Sequence, residues 1–480
     1  MGMNSRNVIE IIKDIERYYE VETITSFNIK IWPLLKLVLC SNLTYSGSKD
    51  EKIKRNLLSK LAKRASLIRP ICYGINNFFS KKYEYILFTD TLEKRIVNGM
   101  YIDKVSQGLI DLLSNEQFLV IENPVNNFHY PIKTCKSEHI SSLRLIQLSA
   151  ILLYLLNCGT RSLNITNEKL IKTILAEGKI ALNYKALIKQ FFGYVKIFET
   201  LFKRIKPKLI FINCYYSVPH MSAIYAAKRN KIKIVELQHG IINDKHWAYN
   251  YSKDFGTNFF PDYLFVFGEF FKKFFKDGNY FIEKDNVFSV GSYYIELINV
   301  EKSSDLIRKV ISLKAKYEKT IVVSSQVTVE NELFDFMLRV ARDDKVNLYI
   351  FRPRILNKHY IIDNVPGNFY LSIDEAEDIY RLLKVADIHA TVYSTVCLEA
   401  LAFGVPNIMV NLNNLARLYF GEILDETLYT IFVNNVSDFI NAVRSWGITD
   451  RKAVMKKGEY FFDSNHGMKL GKAISEIVNN

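Results

Sequence analysis

The chain has 480 residues, of which 49% are hydrophobic and 24% charged, and a formal net charge of +14. That length exceeds what one hydrophobic core sustains and predicts two or three domains, while the apolar fraction excludes a disordered chain. The positive excess asks for an anionic partner: a phosphorylated substrate, anionic lipid or nucleic acid.

The opening residues, MGMNSRNVIEIIKDIERYYE, alternate charge and apolar groups on a helical period. They lack the unbroken apolar run of a signal peptide. Residues 1–80 read as a helical, basic segment. Its most basic stretch, EKIKRNLLSKLAKRASLIR at 51–69, sets Leu57, Leu58, Leu61 and Ile68 on a stripe among lysines and arginines. Such a stripe suits a helix lying on an anionic membrane surface, or an ordinary amphipathic helix docked on the protein.

Beyond residue 80 short apolar runs alternate with helical stretches. They are YEYILFTD (83–90), QFLVIEN (117–123), KLIFINC (208–214), KIKIVELQ (231–238), DYLFVFG (262–268) and NVFSVGS (286–292). Runs without polar alternation mark strands buried on both faces of a parallel sheet. A helical insertion at about 138–206 interrupts them. Its longest apolar run, Leu145 to Leu156, is about half of the ~20 residues that a membrane-spanning helix needs. The chain is therefore expected to be cytoplasmic, including a place at the inner face of the plasma membrane.

After a charged stretch near 296–319 the rhythm restarts: KTIVVSS (319–325), VNLYIFRPR (346–354), NFYLSI (368–373), DIHATVY (387–393), PNIMVN (406–411) and LYTIFVNN (428–435). Two such series predict an α/β chain of two doubly wound domains, at 81–300 and 301–480, with ligands taken at the carboxyl ends of the strands.

Among chemical motifs, the six cysteines (Cys40, Cys72, Cys135, Cys158, Cys214, Cys397) form no C-x-x-C pair. Neither a zinc site nor a disulfide framework is expected. No Walker loop and no persuasive Asp-x-Asp are present, so no cofactor and no metal are predicted. Zinc-finger spacing and aromatic-basic RNA motifs are also missing, which argues against nucleic acid. The strongest segment is IYRLLKVADIHATVYSTVCLEALAFGVP, 379–406. It reads as helix, strand, tight turn, helix and a Gly-x-Pro turn into the next strand. Ser394 and Thr395 fall where strand passes to helix, so their hydroxyls and the first free N–H groups can meet an anion, or Ser394 simply caps the helix. Glu399, one turn on, can accept from a ribose diol.

This run resembles the nucleotide-binding half of GT-B glycosyltransferases and, more distantly, of teichoic-acid (CDP-glycerol) polymerases. The resemblance spans roughly 205–415 and is strongest at 231–268 and 379–410. It implies two Rossmann-like domains, Ser394 and Thr395 on the donor phosphate and Glu399 on the ribose. Glu399 with Gly404-Val405-Pro406 favours a sugar nucleotide over CDP-glycerol. In the polymerases a His-Gly pair ends a strand of the N-terminal domain and the histidine is the proposed base; Gln238-His239-Gly240 matches it. Histidine suits that task because its ordinary pKa lies near neutrality. Gly240 is expected to let the backbone turn sharply and to leave room for substrate. His246 reads as a surface or supporting residue. Relatives that use CMP- or CDP-linked donors carry His-Pro where this chain has Arg352-Pro353-Arg354, with His359 downstream; an arginine there can clamp a phosphate. Ser325 and Gln326, after the first strand of the later domain, approach the nucleotide in this reading. Asp90 is the second candidate base, with a helix cap as its plainer role. Tyr215 and Tyr216 line the acceptor side or pack against a neighbouring helix.

The resulting expectation is a glycosyltransferase of capsule or O-antigen assembly. It would carry a sugar from a nucleotide-sugar donor to a glycan hydroxyl, including a lipid-linked one, beside anionic membrane. A CDP-polyol phosphotransferase, a sugar-nucleotide epimerase and a non-catalytic scaffold are the alternatives.

Overall fold

A computed structural model describes residues 8–45, 70–80, 83–156, 163–301, 307–354, 364–374, 377–447 and 450–479. The basic stretch 51–69 and His359 lie outside them. The chain divides into two compact units. One takes residues up to 266 together with 271–290 and 467–480; the other takes 267–270 and 291–466.

The first unit is built on a seven-stranded sheet. In chain order its strands are β1 Tyr85–Asp90, β2 Phe118–Asn123, β3 Ile140–Ser142, β4 Leu209–Ile212, β5 Lys233–Leu237, β6 Tyr263–Val266 and β7 Val287–Ser289. Every pairing is parallel. The order across the sheet is β7-β6-β5-β4-β1-β2-β3. Read from the chain's start, this is the Rossmann order 3-2-1-4-5-6 with one strand added. The direction of winding reverses between β1 and β4. The apolar runs form strands because both faces are covered: all four residues of β4 are buried, as are five of six in β1 and in β2.

The strand β3 was not expected. It lies within the stretch predicted as helical insertion, which also carries the helices Leu143–Leu156, Glu168–Glu177 and Tyr184–Ile205 and a two-residue strand, Ile165–Thr166, paired with Thr25–Ser26. Ile-Ser-Ser is too short and too polar to show a strand period, and it runs directly into an apolar helix. The 22-residue helix Tyr184–Ile205 buries Leu187, Phe191, Tyr194, Phe198, Leu201 and Ile205 along one face. Asn183 caps it by accepting from Ala186 N at 3.0 Å.

Two N-terminal helices, Val8–Tyr18 and Trp32–Tyr45, join this unit through a buried acid. Glu16 accepts from Trp32 Nε1 at 2.9 Å, Lys36 Nζ at 2.9 Å and Ser252 N at 2.8 Å. Lys36 is wholly buried, with Nζ 3.7 Å from the centre of the Tyr251 ring. Burial pulls its pKa down, against the Glu16 charge. The helices thereby pin the loop that follows His246.

The second unit holds a six-stranded parallel sheet: β8 Thr320–Ser324, β9 Leu348–Arg352, β10 Phe369–Leu371, β11 Ile388–Thr391, β12 Asn407–Val410 and β13 Thr430–Val433. Its order, β10-β9-β8-β11-β12-β13, is again 3-2-1-4-5-6. The helix Glu330–Asp343 buries Leu333, Met337 and Val340 in a core shared with Ile321, Tyr349 and Ile388.

Asp262, after Pro261, and Asp387, after Ala386, do equivalent work in the two sheets. Asp262 accepts from Ile234 N at 2.9 Å and from Lys228 at 2.7 Å. Asp387 accepts from Thr320 N at 2.8 Å and from Lys314 at 3.0 Å. Each fixes the start of the neighbouring strand and satisfies an otherwise open backbone donor.

Gly404, in the Gly-x-Pro turn, has φ +72°, and a Cβ there would lie 2.7 Å from the Arg451 carbonyl oxygen. Left-handed backbone costs an L-residue about 1–2 kcal/mol before any clash. Gly404→Ala should therefore destabilise the protein by about 2–3 kcal/mol. Chemical denaturation checks this.

Candidate functional site

In doubly wound sheets the carboxyl ends of the strands, at the point where winding reverses, form the natural ligand crevice. In the first unit that point lies between β1 and β4, with β5 next to β4. Asp90 ends β1, Tyr215 and Tyr216 follow β4, and Gln238, His239 and Gly240 follow β5. The fold thus gathers the residues singled out in this half of the sequence at one sheet edge.

Asp90 is half-buried. Its Oδ1 accepts from Leu92 N at 2.9 Å, so the carboxylate caps the turn Thr91–Glu93. Burial first, then the Glu93 charge, pushes its pKa up to about 6. A raised acid holds a proton in the fold at pH values where the unfolded chain has lost it. That group's contribution to stability therefore falls as pH rises from about 4 through 6. Asp90→Asn keeps an acceptor for Leu92 N and removes the ionisation. It should stabilise the protein by about 1–2 kcal/mol at pH 7–8, discounted for solvent screening. The gain should vanish below about pH 4. Melting curves of both proteins across pH 4–8 check the sign.

Beneath Asp90, Asn213 Nδ2 donates to Thr89 Oγ1 at 2.9 Å, and Thr89 donates to the buried carboxylate of Asp103. Asp103 also accepts from Val105 N and Ser106 N, each at 2.9 Å. This network ties Asn213, the first residue after β4, to the end of β1.

Tyr215 belongs to the framework. It is wholly buried, its N donates to Glu236 Oε1 at 3.1 Å, and its hydroxyl donates to the Ala248 carbonyl. Tyr216 faces the histidines: its hydroxyl lies 2.9 Å from His239 Nε2 and 3.5 Å from His246 Nε2. His246 Nδ1 in turn accepts from Ala248 N at 3.3 Å. Burial drives the His239 pKa below the usual histidine range, opposed by the Glu93 carboxylate. Burial, with His239 beside it, brings His246 down to about 4. Both rings are neutral at pH 7.

Gln238 is buried and fixes the turn, donating from Nε2 to the Gly240 carbonyl at 2.8 Å and from N to the Phe265 carbonyl at 2.8 Å. Gly240 corrects one expectation. It is not among the residues with positive φ, so the turn does not require glycine. What glycine leaves is space, since no heavy atom lies within 4 Å of where a Cβ would stand.

Glu236 was not singled out as a functional residue. It is fully buried in β5, accepts from Tyr215 N and from Tyr249 OH at 3.0 Å, and burial pushes its pKa up to about 8. At neutral pH it is chiefly the protonated acid. A glutamate inside an otherwise apolar strand run was the available signal.

A second cluster lies at β2 and β3. Lys94 Nζ is 3.2 Å from Glu122 Oε2, His129 Nδ1 is 2.7 Å from Glu122 Oε1, and His129 Nε2 is 2.9 Å from Ser142 Oγ. The alignment is that of a serine nucleophile with its base and orienter. Ser142, however, is wholly buried, and Tyr73 stacks on the imidazole at 4.1 Å. With the hydroxyl sealed from solvent, the cluster serves as a brace across the strand ends.

In the second unit winding reverses between β8 and β11. Ser325 and Gln326 follow β8, Arg352 ends β9 with Arg354 just beyond it, and Ser394 and Thr395 follow β11, all at the carboxyl edge. Most are already tied into the framework. The Ser325 hydroxyl donates to Glu330 and accepts from Arg354 N at 2.9 Å. Gln326 Nε2 donates to Thr391 Oγ1 at 2.9 Å, and its Oε1 accepts from Tyr393 N at 3.3 Å. Arg352 Nη1 donates to the carbonyls of Ser372 at 3.1 Å and Asp374 at 2.6 Å, which anchors the guanidinium to the loop after β10. The Arg354 side chain is exposed.

Ser394 Oγ is only 3.4 Å from Val396 N, a loose cap, and Thr395 makes no side-chain cap bond. Glu399 is half-buried on the helix Val396–Ala402. His389, in the same motif, is structural. It bridges Ser324 Oγ at 2.8 Å and Asn407 Oδ1 at 2.8 Å, and burial brings its pKa down to about 4.

Among the described residues no group of three or more His, Cys, Asp or Glu could hold a metal ion, and no helix is long and apolar enough to cross a membrane.

No family model and no curated protein matches the chain. Several solved structures are similar to it. UDP-GlcNAc 2-epimerase from Methanocaldococcus jannaschii has 13% identity and a TM-score of 0.49, over 82% of this chain and 99% of that one. The calicheamicin glycosyltransferase CalG4 has 13% identity and a TM-score of 0.49, over 83% and 99%. The wall teichoic acid polymerase TagF has 12% identity and a TM-score of 0.47, over 88% and 99%. These likenesses bear on neither substrate nor reaction, and the two-sheet fold rests on the strand orders described above.

Proposed function

We propose that the protein is a glycosyltransferase that moves a sugar from a nucleotide-sugar donor to a glycan hydroxyl in the assembly of a surface polysaccharide, capsule or O-antigen. The observation that carries the reading is the pairing of chemistry with position. Each unit places polar and titratable groups at the winding reversal of a 3-2-1-4-5-6 sheet, where such folds take their ligands. The second unit supplies hydroxyls and a basic side chain suited to a diphosphate. The first supplies neutral imidazole and carboxylate.

In this reading Ser394, Thr395 and Arg354 contact the donor phosphates and Glu399 the ribose, while Ser325, Gln326 and Arg352 hold the loops that carry them. His239 takes the proton of the acceptor hydroxyl as its oxygen bonds to the anomeric carbon. The bond from that carbon to the phosphate oxygen breaks, and the nucleotide leaves with the electron pair. A neutral imidazole can accept a proton, so burial works in favour of this role. Asp90 is the second base available at the same edge; its Oδ1 is already engaged with Leu92 N. The net charge of +14 favours anionic donors and acceptors held near anionic lipid, including lipid-linked glycans.

Product analysis tests the reading. Incubation with sugar nucleotides and glycan acceptors should release nucleotide in step with sugar incorporation. Release of CMP from a CDP-polyol would instead mark a phosphotransferase, and interconversion of sugar nucleotides without an acceptor would mark an epimerase.

A further inference from the structure

Three segments meet at the carboxyl edge of β1 and β2. They are the turn Thr91–Glu93, the antiparallel hairpin of Lys94–Val97 with Met100–Asp103, and the loop 124–136. Val125 N donates to Thr91 Oγ1 at 2.9 Å, which joins the loop to the turn. Tyr130 of the loop stacks on Tyr101 of the hairpin at 3.9 Å, Phe128 stands edge-on to Tyr130 at 4.9 Å, and Lys136 N donates to the Tyr101 carbonyl at 2.9 Å. Leu92 is 61% exposed, Phe128 52%, and Met100 and Ile132 36% each. Single apolar side chains on a surface need no explanation, whereas four on adjoining segments form a patch of the kind that takes a partner. The charges among them are chiefly of one sign. Segments 91–104 and 124–136 contain two acids: Asp103 is buried, and Glu93, its side chain 14% exposed, is engaged by Lys104 at 3.2 Å. Arg95 is half-buried and donates from Nη1 to the carbonyls of Leu92 and Lys94, each at 2.7 Å. Lys133 is exposed; Lys136, also exposed, is met by Asp111 of the neighbouring helix at 2.7 Å.

From this surface we infer that the rim made by 91–103 and 124–136 is a contact face for the headgroup boundary of an anionic bilayer. Apolar side chains interspersed with lysine and arginine, with no carboxylate standing clear of a cation, match that boundary. The apolar groups enter the acyl region and the cations meet lipid phosphates. The stacked tyrosines suit the same depth, since each ring has an apolar body and a polar end. The net charge of +14 works against a second copy of this chain as the occupant and in favour of an anionic sheet. None of these residues belongs to the basic stretch 51–69, so the two can be tested apart. Leu92 lies two residues past Asp90, so a membrane held on the rim lies beside the acceptor-side groups. The inference rests on the transferase reading only for that use, the presentation of a lipid-linked acceptor; binding to the membrane is independent of it.

The test is cosedimentation of the full-length protein with vesicles of equal parts phosphatidylcholine and phosphatidylglycerol, against phosphatidylcholine alone. The wild type should bind the anionic vesicles, more weakly as salt rises, and should bind the neutral ones less. Leu92→Ser combined with Phe128→Ser should weaken binding by about tenfold or more, because both side chains lose their place in the acyl region. Lys133→Gln should weaken it about fivefold, the worth of one cation near an anionic surface. All three positions are exposed, so melting temperatures should stay close to that of the wild type. Val478→Ser removes a comparably exposed apolar side chain, 50% against 52% for Phe128, at the opposite edge of the sheet, where Lys233 at the start of β5 donates to the Ile477 carbonyl. That variant should bind as the wild type does. A wild type that stays in the supernatant, or binding that the rim variants leave intact, would overturn the inference. So would a wild-type oligomer that Leu92→Ser with Phe128→Ser turns into a monomer, because the rim is then an interface between copies. A protein that binds as stated and transfers no sugar leaves the membrane contact standing and removes the transferase reading instead.

Discussion

Lys94→Met is expected to destabilise the protein by about 3–5 kcal/mol, among the largest effects of any single substitution here. Lys94 and Glu122 face each other at 3.2 Å with side chains only 1% exposed. Burial opposes charge on both, yet their mutual attraction, with His129 bonded to the same carboxylate, keeps Lys94 above and Glu122 below its ordinary range. Removing the ammonium leaves a buried carboxylate whose remaining partner is the His129 ring. The cost is chiefly that of the stranded charge rather than the worth of the pair. Adding Glu122→Gln to Lys94→Met should accordingly recover a large part of the loss. Denaturant midpoints of the wild type, the single variant and the double variant check both statements. A single-variant loss below about 1 kcal/mol would mean that water reaches the pair.

His239→Ala carries the largest expected effect on activity. A general base contributes typically about 10²–10⁴-fold, so transfer should fall by that factor. Donor binding, assigned to the other unit, should be nearly unchanged. Asp90→Asn separates the two candidate bases. If Asp90 only caps its turn, the asparagine variant keeps transfer while gaining stability at neutral pH. If Asp90 is the base, that variant loses transfer by a similar factor and His239→Ala loses less.

The sequence makes most of this fold legible because burial on both faces of a parallel sheet writes itself as unbroken apolar runs. LIFI at 209–212 and TIVVS at 320–324 are strands wholly buried within predicted runs. Ile140–Ser142 escaped because three residues, two of them serines, carry no period, and register with β2 alone makes them a strand. The candidate site is legible to a lesser degree. Asp90, His239 and Ser394 stand at strand ends, and strand ends are visible in sequence. What each side chain does there depends on partners far along the chain. Arg352 is held by the carbonyls of Ser372 and Asp374. His389 looked no different from His239 in composition, yet its partners Ser324 and Asn407 make it a bolt between strands. The link from His246 through Tyr216 to His239 joins residues brought together by the loop that Glu16 and Lys36 fasten, which no local pattern announces.

Under the proposed function the second unit binds a nucleotide sugar, which thermal stabilisation against UDP, GDP, CMP, CDP, dTDP and their sugar conjugates tests. A ligand that binds only the native state raises the melting temperature as RT ln(1 + [L]/Kd). A clear rise with one nucleotide family is expected. That rise should be lost in Ser394→Ala, whose own stability should change little because the Ser394 cap is loose at 3.4 Å. No rise with any nucleotide, or a rise that Ser394→Ala leaves intact, would contradict it.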